Sequence, residues 1–222
     1  MKEDFEKYLR PSKLCNFDKE IIKEKTEKVI SGAKTDREKA ERILDFCQNE
    51  ILFIYDDWGV PASVVLERRK GMCSGKNNLA VAMLRAAGIP ARHKLAILEI
   101  ESEMWKFASE RDSFLAKVLS TLPQTRDHIV IEVFLDGNWE LKDVTRDRDL
   151  EKGMENLGIP LERDLILEEL ETIEDFDGWA NQRQKRITIA ENREKILKRI
   201  NHFVESMRAK PSSPSSLPSE AR

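Results

Sequence analysis

The chain has 222 residues, of which 40% are hydrophobic and 36% charged, and its formal net charge is −3. This composition predicts a soluble, helix-rich globular protein, and the length fits one domain with extensions or one and a half domains. The small charge excludes a general attraction to nucleic acid or anionic membrane. No apolar run approaches the ~20 residues that span a bilayer, and the charged N-terminus lacks the apolar core of a secretion signal, so we expect a cytoplasmic protein.

The three cysteines are too few and too widely spaced for a disulfide framework. No Cys-x-x-Cys pair occurs, so we expect neither a zinc site nor any other metal or cofactor. Cys47 falls on the apolar side of a predicted helix and should be buried. Cys15 lies in a predicted loop without a visible partner and should titrate as an ordinary thiol.

Short helices are predicted along the first third of the chain. A helical piece at 4–10 is stopped by Pro11, and a charged helix at 17–31 ends at Gly32. Thr35 followed by Glu38 has the spacing of a capping box. The helix that it opens has apolar residues at helical spacing: Ala40, Ile43, Leu44, Cys47, Ile51 and Ile54. After a break at 55–59, Pro61 suits the first turn of a helix at 62–68.

The next segment contains the first candidate for chemistry. Apolar residues at three- and four-residue spacing predict a helix with one buried face: Leu79, Ala82, Met83 and Ala86. Gly88 and Pro90 end this helix, which puts Cys73 at or near its N-terminus. Gly71 and Gly75 would let backbone or substrate approach closely. A cysteine in this place is either a buried apolar residue or a nucleophile with a lowered pKa.

Strands are predicted further along the chain. The aliphatic segment 92–100 predicts a strand, and 103–119 returns to helical spacing. His128–Leu135 is β-branched and aromatic, which favours a second strand. Asp136-Gly137 is typical of a two-residue hairpin turn, so 139–145 should return as the neighbouring strand.

The hairpin turn determines whether a histidine and a carboxylate can meet. With two turn residues, Leu135 pairs with Asn138, and Asp143 lies opposite Val130 on the face of His128. His128 and Asp143 are then diagonal neighbours, ~7–8 Å apart at the backbone, a gap that their side chains can bridge. A three-residue turn would put them on opposite faces. The carboxylate would hold one ring nitrogen of His128 and leave the other for a thiol.

The C-terminal third is less regular. Residues 146–184 are polar, acidic and broken by glycine and proline, which predicts short helices and loops; Trp179 and 165–167 should tie them to the core. Apolar residues from Ile189 to Met207 predict an amphipathic helix that packs on the domain, with a partner interface as the alternative. We divide the chain into an N-terminal helical extension (1–35), a core (36–146), a C-terminal helical region packed on the core (147–208) and a disordered Pro/Ser-rich tail (209–222).

Several separate motifs, in the same order, resemble the transglutaminase-like superfamily. They are Gly71-Met-Cys73-Ser-Gly75, Leu84-Arg-Ala-Ala-Gly-Ile-Pro-Ala-Arg92, His128-x-x-x-Glu132-Val133, Gly137-Asn-Trp139 and Asp143-Val-Thr145. They cover about residues 40–146. The resemblance implies an α+β fold with a papain-like/transglutaminase-like core, in which the cysteine-bearing helix packs on an antiparallel β-sheet, with N- and C-terminal helical extensions. It also implies Cys73 as nucleophile, His128 as base and Asp143 as the group that orients the base.

The sequence departs from the family pattern at a few points. Ile129-Val130 replaces the family's Ala-Trp after the histidine, and Val144 replaces its proline. The helical segment near 103–121 looks like an insertion before the histidine strand. This insertion could form one wall of the substrate cleft.

Other polar and aromatic side chains are weaker candidates for a role. An oxyanion hole would use the Cys73 N–H and an upstream donor; Tyr55 and Trp58 each carry a donor, the alternative being that they are core or rim aromatics. We expect His93 to be a surface or half-buried histidine and Glu132 to be a structural carboxylate. His202, on the C-terminal helix, belongs to no motif.

These observations favour a cysteine enzyme that cleaves or transfers acyl groups at peptide or amide bonds through a thioester. We favour hydrolysis, as in a peptidase or amidase, because neither a secretion signal nor an extra sandwich domain accompanies the core. The alternatives are a protein cross-linking transglutaminase and a non-catalytic protein-binding module that keeps the fold. The expected partner is a peptide or protein amide, with no nucleic acid and no membrane.

Overall fold

The computed structural model of the protein describes residues 5–99, 103–120, 125–161, 165–187 and 193–208. Within these ranges a short 3₁₀ helix at Phe5–Leu9 precedes the longer elements. The α-helices are α1 (Glu20–Ile30), α2 (Asp36–Asn49), α3 (Ala62–Arg68), α4 (Cys73–Ala86), α5 (Glu103–Arg111), α6 (Ser113–Leu119), α7 (Arg148–Asn156), α8 (Phe176–Ile187) and α9 (Arg193–Met207). The strands are β1 (Leu52–Phe53), β2 (Lys70–Gly71), β3 (Ala91–Glu99), β4 (Thr125–Leu135), β5 (Asn138–Lys142) and β6 (Leu165–Thr172).

Helix α4 is the central helix of the fold. The prediction that it buries one face is wrong, because every residue from Cys73 to Leu84 is buried. Helices α1, α2 and α3 and strands β3 and β4 all pack against it. Its polar side chains therefore need partners inside the protein. Lys76 Nζ donates to the carbonyl oxygens of Gln48 and Ile51, and these bonds hold the end of α2 against α4.

The N-terminal helices form one apolar core with α4. Thr35 Oγ1 accepts a hydrogen bond from Glu38 N at 3.1 Å and so caps α2, as the sequence predicts. Cys47 is completely buried in this core, which confirms its expected place. Helix α2 ends at Asn49, so Ile51 and Ile54 lie beyond it, and Ile54 is only partly buried.

The main sheet is antiparallel, with the strand order β5-β4-β3-β6. The predicted hairpin is confirmed: Leu135 pairs with Asn138 across the two turn residues Asp136 and Gly137. Their φ angles are 50° and 85°, as a type I′ turn requires at both positions. The antiparallel sheet packed on the cysteine-bearing helix is the α+β architecture that the sequence predicts.

One strand of this sheet contradicts the sequence-based expectation. Only helices and loops are predicted for 146–184, but Leu165–Thr172 forms β6, which pairs with the edge of β3. Leucine and glutamate dominate this segment and favour helix, whereas pairing with an open strand edge outweighs that preference. The C-terminal region is therefore helix and strand together.

The segment predicted as one helix at 103–119 forms two. Asp112 interrupts it, and its side chain accepts hydrogen bonds from Phe114 N and Leu115 N to cap α6. Helices α5, α6, α7 and α9 share a second apolar cluster with residues of the α4 N-terminus.

The C-terminal helix α9 packs on α7. Ile189 and the predicted tail at 209–222 fall outside the described residues. None of the helices in the described ranges is long and apolar enough to cross a membrane.

Candidate active site

Three elements bring Cys73, His128 and Asp143 together. Cys73 is the first residue of α4, so it lies where backbone N–H groups have no acceptor within the helix. His128 lies on β4. Strand β5 ends at Lys142, short of the predicted Thr145, and Asp143 is the first residue beyond it. The pairing of Ile131 with Lys142 still follows the predicted register.

The carboxylate of Asp143 holds the imidazole of His128. His128 Nε2 lies 2.8 Å from Asp143 Oδ2. The second oxygen, Oδ1, accepts hydrogen bonds from Thr145 N at 2.9 Å and from Thr145 Oγ1 at 2.5 Å. Both carboxylate oxygens are therefore fixed, and Nδ1 is the ring nitrogen left for a thiol.

The thiol of Cys73 is hydrogen-bonded to His128, and the two groups perturb each other. Burial raises the pKa of the Cys73 thiol, but the hydrogen bond and charge of His128 and a bond from the Ile129 backbone outweigh it, so this pKa is lowered overall. Burial lowers the pKa of His128, but Asp143 and then Cys73 raise it to about 9. Both shifts favour a thiolate–imidazolium pair.

The other two cysteines are in the opposite situation. Burial raises the pKa of the Cys47 thiol to about 12 and that of Cys15 to about 11, although Arg85 partly opposes the change at Cys15. The expectation that Cys15 titrates as an ordinary thiol is wrong, because its loop is packed into the N-terminal core and its side chain is 1% exposed.

Asn77 also belongs to this site, although it is part of none of the sequence motifs. It is completely buried one helical turn after Cys73. Its Nδ2 lies within hydrogen-bonding distance of Ile129 O (2.9 Å), Thr145 Oγ1 (3.0 Å) and Asp143 Oδ1 (3.3 Å), and its Oδ1 accepts from Val144 N. The one available signal was a polar residue four positions after the cysteine, where a helix places it on the same face.

The two glycines beside Cys73 have a packing role. A Cβ added at Gly71 or Gly75 would lie 3.1 Å from a methyl group of Val65. The two glycines therefore allow helix α3 to approach closely. These contacts give no support to the expectation that a substrate approaches there.

The two oxyanion candidates lie at the edge of the apolar cluster that contains Cys73. The Tyr55 ring packs 5.4 Å from Trp105, and the Trp58 ring packs edge-on to Trp179 at 5.2 Å. The backbone N–H of Tyr55 donates to Asn201 Oδ1, and that of Trp58 donates to Gln184 Oε1. Any donor that they offer to a substrate is therefore a side-chain group.

The remaining polar candidates are structural. His93 is 2% exposed and stacks on Phe176 at 3.9 Å, so the expected surface or half-buried position is wrong because α8 covers it. Burial lowers its pKa well below the usual value. Glu132 pairs with Arg92 at 2.7 Å and with Lys94 at 3.8 Å, as a structural carboxylate does. Across the described ranges, no group of three His, Cys, Asp or Glu side chains is placed to hold a metal ion.

A solved structure shares this fold. A crystal structure of a candidate cysteine protease from Cytophaga hutchinsonii aligns with 68% of this chain at 23% identity and a TM-score of 0.50, and the alignment spans 45% of that protein. A candidate protease from Parabacteroides distasonis aligns with 62% of this chain and 24% of its own, at 17% identity and a TM-score of 0.39. The chain thus spans less than half the length of either protein.

Among curated proteins, none matches the chain with significance. The family model of the transglutaminase-like superfamily matches residues 23–143, which is more than half of the chain and includes Cys73, His128 and Asp143. The chain belongs to the transglutaminase-like superfamily.

Proposed function

We propose that the protein is a cysteine enzyme that opens peptide or amide bonds through a thioester. The observation that carries this proposal is the Cys73 thiol at a helix N-terminus, hydrogen-bonded to His128, whose Nε2 is held by Asp143. A nucleophile, a base and a group that orients the base are the parts that acyl transfer requires.

We propose the following reaction for this geometry. The Cys73 thiolate attacks the carbonyl carbon of the amide, and the oxygen of the tetrahedral intermediate takes the negative charge. The C–N bond breaks as protonated His128 gives its proton to the departing amine, which leaves a thioester on Cys73. His128, now neutral, takes a proton from the attacking water, and the acid and free thiol are released. The helix N-terminus stabilises the anionic states.

Helices α5 and α6 supply the proposed wall of the substrate cleft. Phe107 of α5 and Phe114 of α6 are partly buried and pack against the apolar cluster that includes Cys73. An apolar wall beside the thiol would accept an apolar part of a peptide or protein substrate, which we propose as the partner class.

Mass spectrometry of intact protein, after incubation with a library of peptide amides, tests this function. We expect a thioester adduct on Cys73 and a product acid that carries one oxygen from labelled water; the Cys73→Ser variant should form no thioester. A product amide formed with an added primary amine, in place of the labelled acid, would instead indicate a cross-linking transglutaminase. Binding of peptides without any adduct or product would overturn the enzyme proposal in favour of a binding module.

A further inference from the structure

Segment 53–58 begins beside the residues that precede Cys73. Strand β1 pairs in parallel with β2, so that Phe53 is opposite Gly71. Ile54 N continues this pairing by donating to Gly71 O at 3.1 Å. Phe53 belongs to the apolar cluster that contains Cys73, and Tyr55 and Trp58 pack against this cluster. Segment 53–58 therefore contributes to the apolar cluster that contains Cys73.

The backbone of Tyr55 is held from the C-terminal helix α9. Tyr55 N donates to Asn201 Oδ1 at 2.7 Å, and Asn201 Nδ2 donates to Tyr55 O at 2.8 Å. One side-chain amide thus satisfies both polar groups of one residue, which is the pairing that a neighbouring strand would otherwise provide. These two hydrogen bonds fix both the position and the orientation of the Tyr55 backbone.

Other side chains of the C-terminal region hold the residues on either side. Arg208 Nη2 donates to Phe53 O at 2.5 Å and pairs with Asp147 Oδ2 at 2.9 Å, and the same carboxylate oxygen accepts from Phe53 N at 2.9 Å. Gln184 Oε1 accepts from Trp58 N at 3.0 Å. Asn201 and Arg208 lie about two helical turns apart, on one side of the end of α9. All of these side chains lie beyond residues 23–143, the part that the family shares.

We propose that Asn201 is a positioning residue. By holding the backbone of Tyr55, it keeps the Tyr55 side chain at the place where that side chain stabilises the oxyanion. The proposal rests on the proposed function. Oxyanion donors act at about 2.7–3.1 Å from the developing charge, and a misplacement of ~1 Å can cost ~100-fold in rate. Asn201→Ala would remove the hydrogen bonds that Asn201 makes with both backbone groups of Tyr55, whereas the bond from Trp58 N to Gln184 would remain.

Two reactions of Cys73 separate positioning of the oxyanion site from reactivity of the thiolate. Acylation by p-nitrophenyl acetate forms the thioester and releases p-nitrophenol through a tetrahedral oxyanion. Alkylation by iodoacetamide displaces iodide at a saturated carbon and passes through no oxyanion. We expect Asn201→Ala to slow acylation by about tenfold or more while leaving the alkylation rate at pH 6 unchanged. The matched control is His202→Ala, an exposed neighbour on the same helix, which should change neither rate.

Different results would contradict the proposed function and the positioning role of Asn201. If the wild-type protein forms no acetyl-Cys73, the proposed function fails. If the wild type is acylated and Asn201→Ala is acylated equally fast, or is slowed equally in both reactions, the positioning role is overturned. Asn201→Asp keeps an acceptor for Tyr55 N but loses the donor to Tyr55 O, and we expect an intermediate acylation rate. If Asn201→Ala does not fold, the acylation and alkylation rates of Asn201→Asp test the positioning role instead.

Discussion

His128 Nε2 lies 2.8 Å from Asp143 Oδ2, although Asp143 is one residue beyond the end of its strand. Because the hairpin turn has two residues, the register brings Asp143 to the side of His128. Thr145 then donates two hydrogen bonds to the other oxygen of the carboxylate. The histidine is thus oriented by a carboxylate that is itself held by the chain just after it.

The first prediction concerns Asp143→Asn. Thr145 N can only donate, so the amide must turn its oxygen toward Thr145 and its NH₂ toward His128. The imidazole must then accept at Nε2 and carry its proton on Nδ1, which is the wrong tautomer for taking a thiol proton. The corresponding change in a serine protease triad costs about 10⁴ in turnover, and we expect a loss of about 10²–10⁴ here, measured as p-nitrophenol release.

The control for this variant is Asp136→Asn in the turn of the same hairpin. Asp136 has a left-handed φ, which asparagine also tolerates. Its release of p-nitrophenol should match that of the wild type, and circular dichroism should show both variants folded. A near-native rate for Asp143→Asn would mean that Asp143 has only a structural role.

The second prediction is that Cys73 reacts first of the three thiols. Below about pH 9 His128 keeps its proton in the folded protein and stabilises the Cys73 thiolate, whereas burial raises the pKa of Cys15 and Cys47 to about 11 and 12. Limiting iodoacetamide at pH 6 should therefore alkylate Cys73, as peptide mapping can show. His128→Ala should slow this reaction on the order of 100-fold at pH 6, where an ordinary thiol with a pKa of ~8.5 is almost fully protonated.

The same variant should slow alkylation much less above pH 9, because the wild-type imidazolium loses its proton there and its help to the thiolate ends. His202→Ala, at an exposed histidine, serves as the control at both pH values. Labelling of Cys15 before Cys73, or no effect of His128→Ala at pH 6, would remove Cys73 as the nucleophile.

The third prediction tests Asn77 against its neighbour Asn78. Both are completely buried in α4, and Asn78 Nδ2 donates to Leu14 O, away from the catalytic residues. Asn77→Ala removes the acceptor of the buried Val144 N–H and should lower the free energy of unfolding by roughly 1–3 kcal/mol, measured in urea. In Asn78→Ala, Leu14 O still accepts from Ala62 N, so the cost should be about 0.5–1.5 kcal/mol. Only Asn77→Ala should also slow acylation, because Asn77 is hydrogen-bonded to Asp143 and to the backbone of Ile129 and Val144, the residues that follow His128 and Asp143. Equal activity in the two variants would make Asn77 purely structural.

The hairpin and the cysteine-bearing helix could be predicted from the sequence because local rules determine both. Asp136-Gly137 favours a two-residue turn, and a turn of that length determines which residues of the two strands pair. Gly88 and Pro90, just beyond Ala86, are local signals that end α4. The positions of Cys73, His128 and Asp143 follow from these local features.

The features that could not be predicted depend on contacts between distant segments. The LILEELET sequence of β6 favours helix, and only the exposed edge of β3 makes it a strand. Cys15 and His93 carry no sign of burial in their own neighbourhoods; the N-terminal core and α8 cover them. Asn201 looks like an ordinary polar position of an amphipathic helix until α9 is seen beside Tyr55. Pairing partners of this kind leave no periodic signal in either segment.

The last prediction concerns the buried ion pair that joins the end of α9 to the core. Arg208 and Asp147 meet at 2.9 Å, with their side chains 7% and 2% exposed. Removing one partner of a buried pair leaves an uncompensated charge, so Arg208→Met should lower the free energy of unfolding at pH 7 by about 3 kcal/mol.

Asp147 also gives this variant a pH dependence with a defined sign. Burial raises the pKa of its carboxyl, but Arg208, the Phe53 backbone and the charge of Lys76 lower it overall. A lowered pKa in the folded state contributes stability above the unfolded value of about 3.9, and this contribution is lost as the pH falls through the folded pKa. The destabilisation by Arg208→Met should therefore be largest near neutral pH and shrink toward pH 3.

Two controls make the prediction for Arg208 specific. Arg199→Met breaks a surface pair with Asp112, where Arg199 is 56% exposed, and should cost no more than about 1 kcal/mol. Deletion of 209–222, a Pro/Ser-rich sequence that begins just after Arg208, should leave the melting temperature unchanged because such a tail buries little. Urea unfolding at pH 7 and pH 3 and thermal melts compare all three proteins. A cost for Arg208→Met no larger than that for Arg199→Met would show that the α9 terminus is not anchored through Asp147, and a drop of several degrees on deletion would show that the tail contributes to the fold.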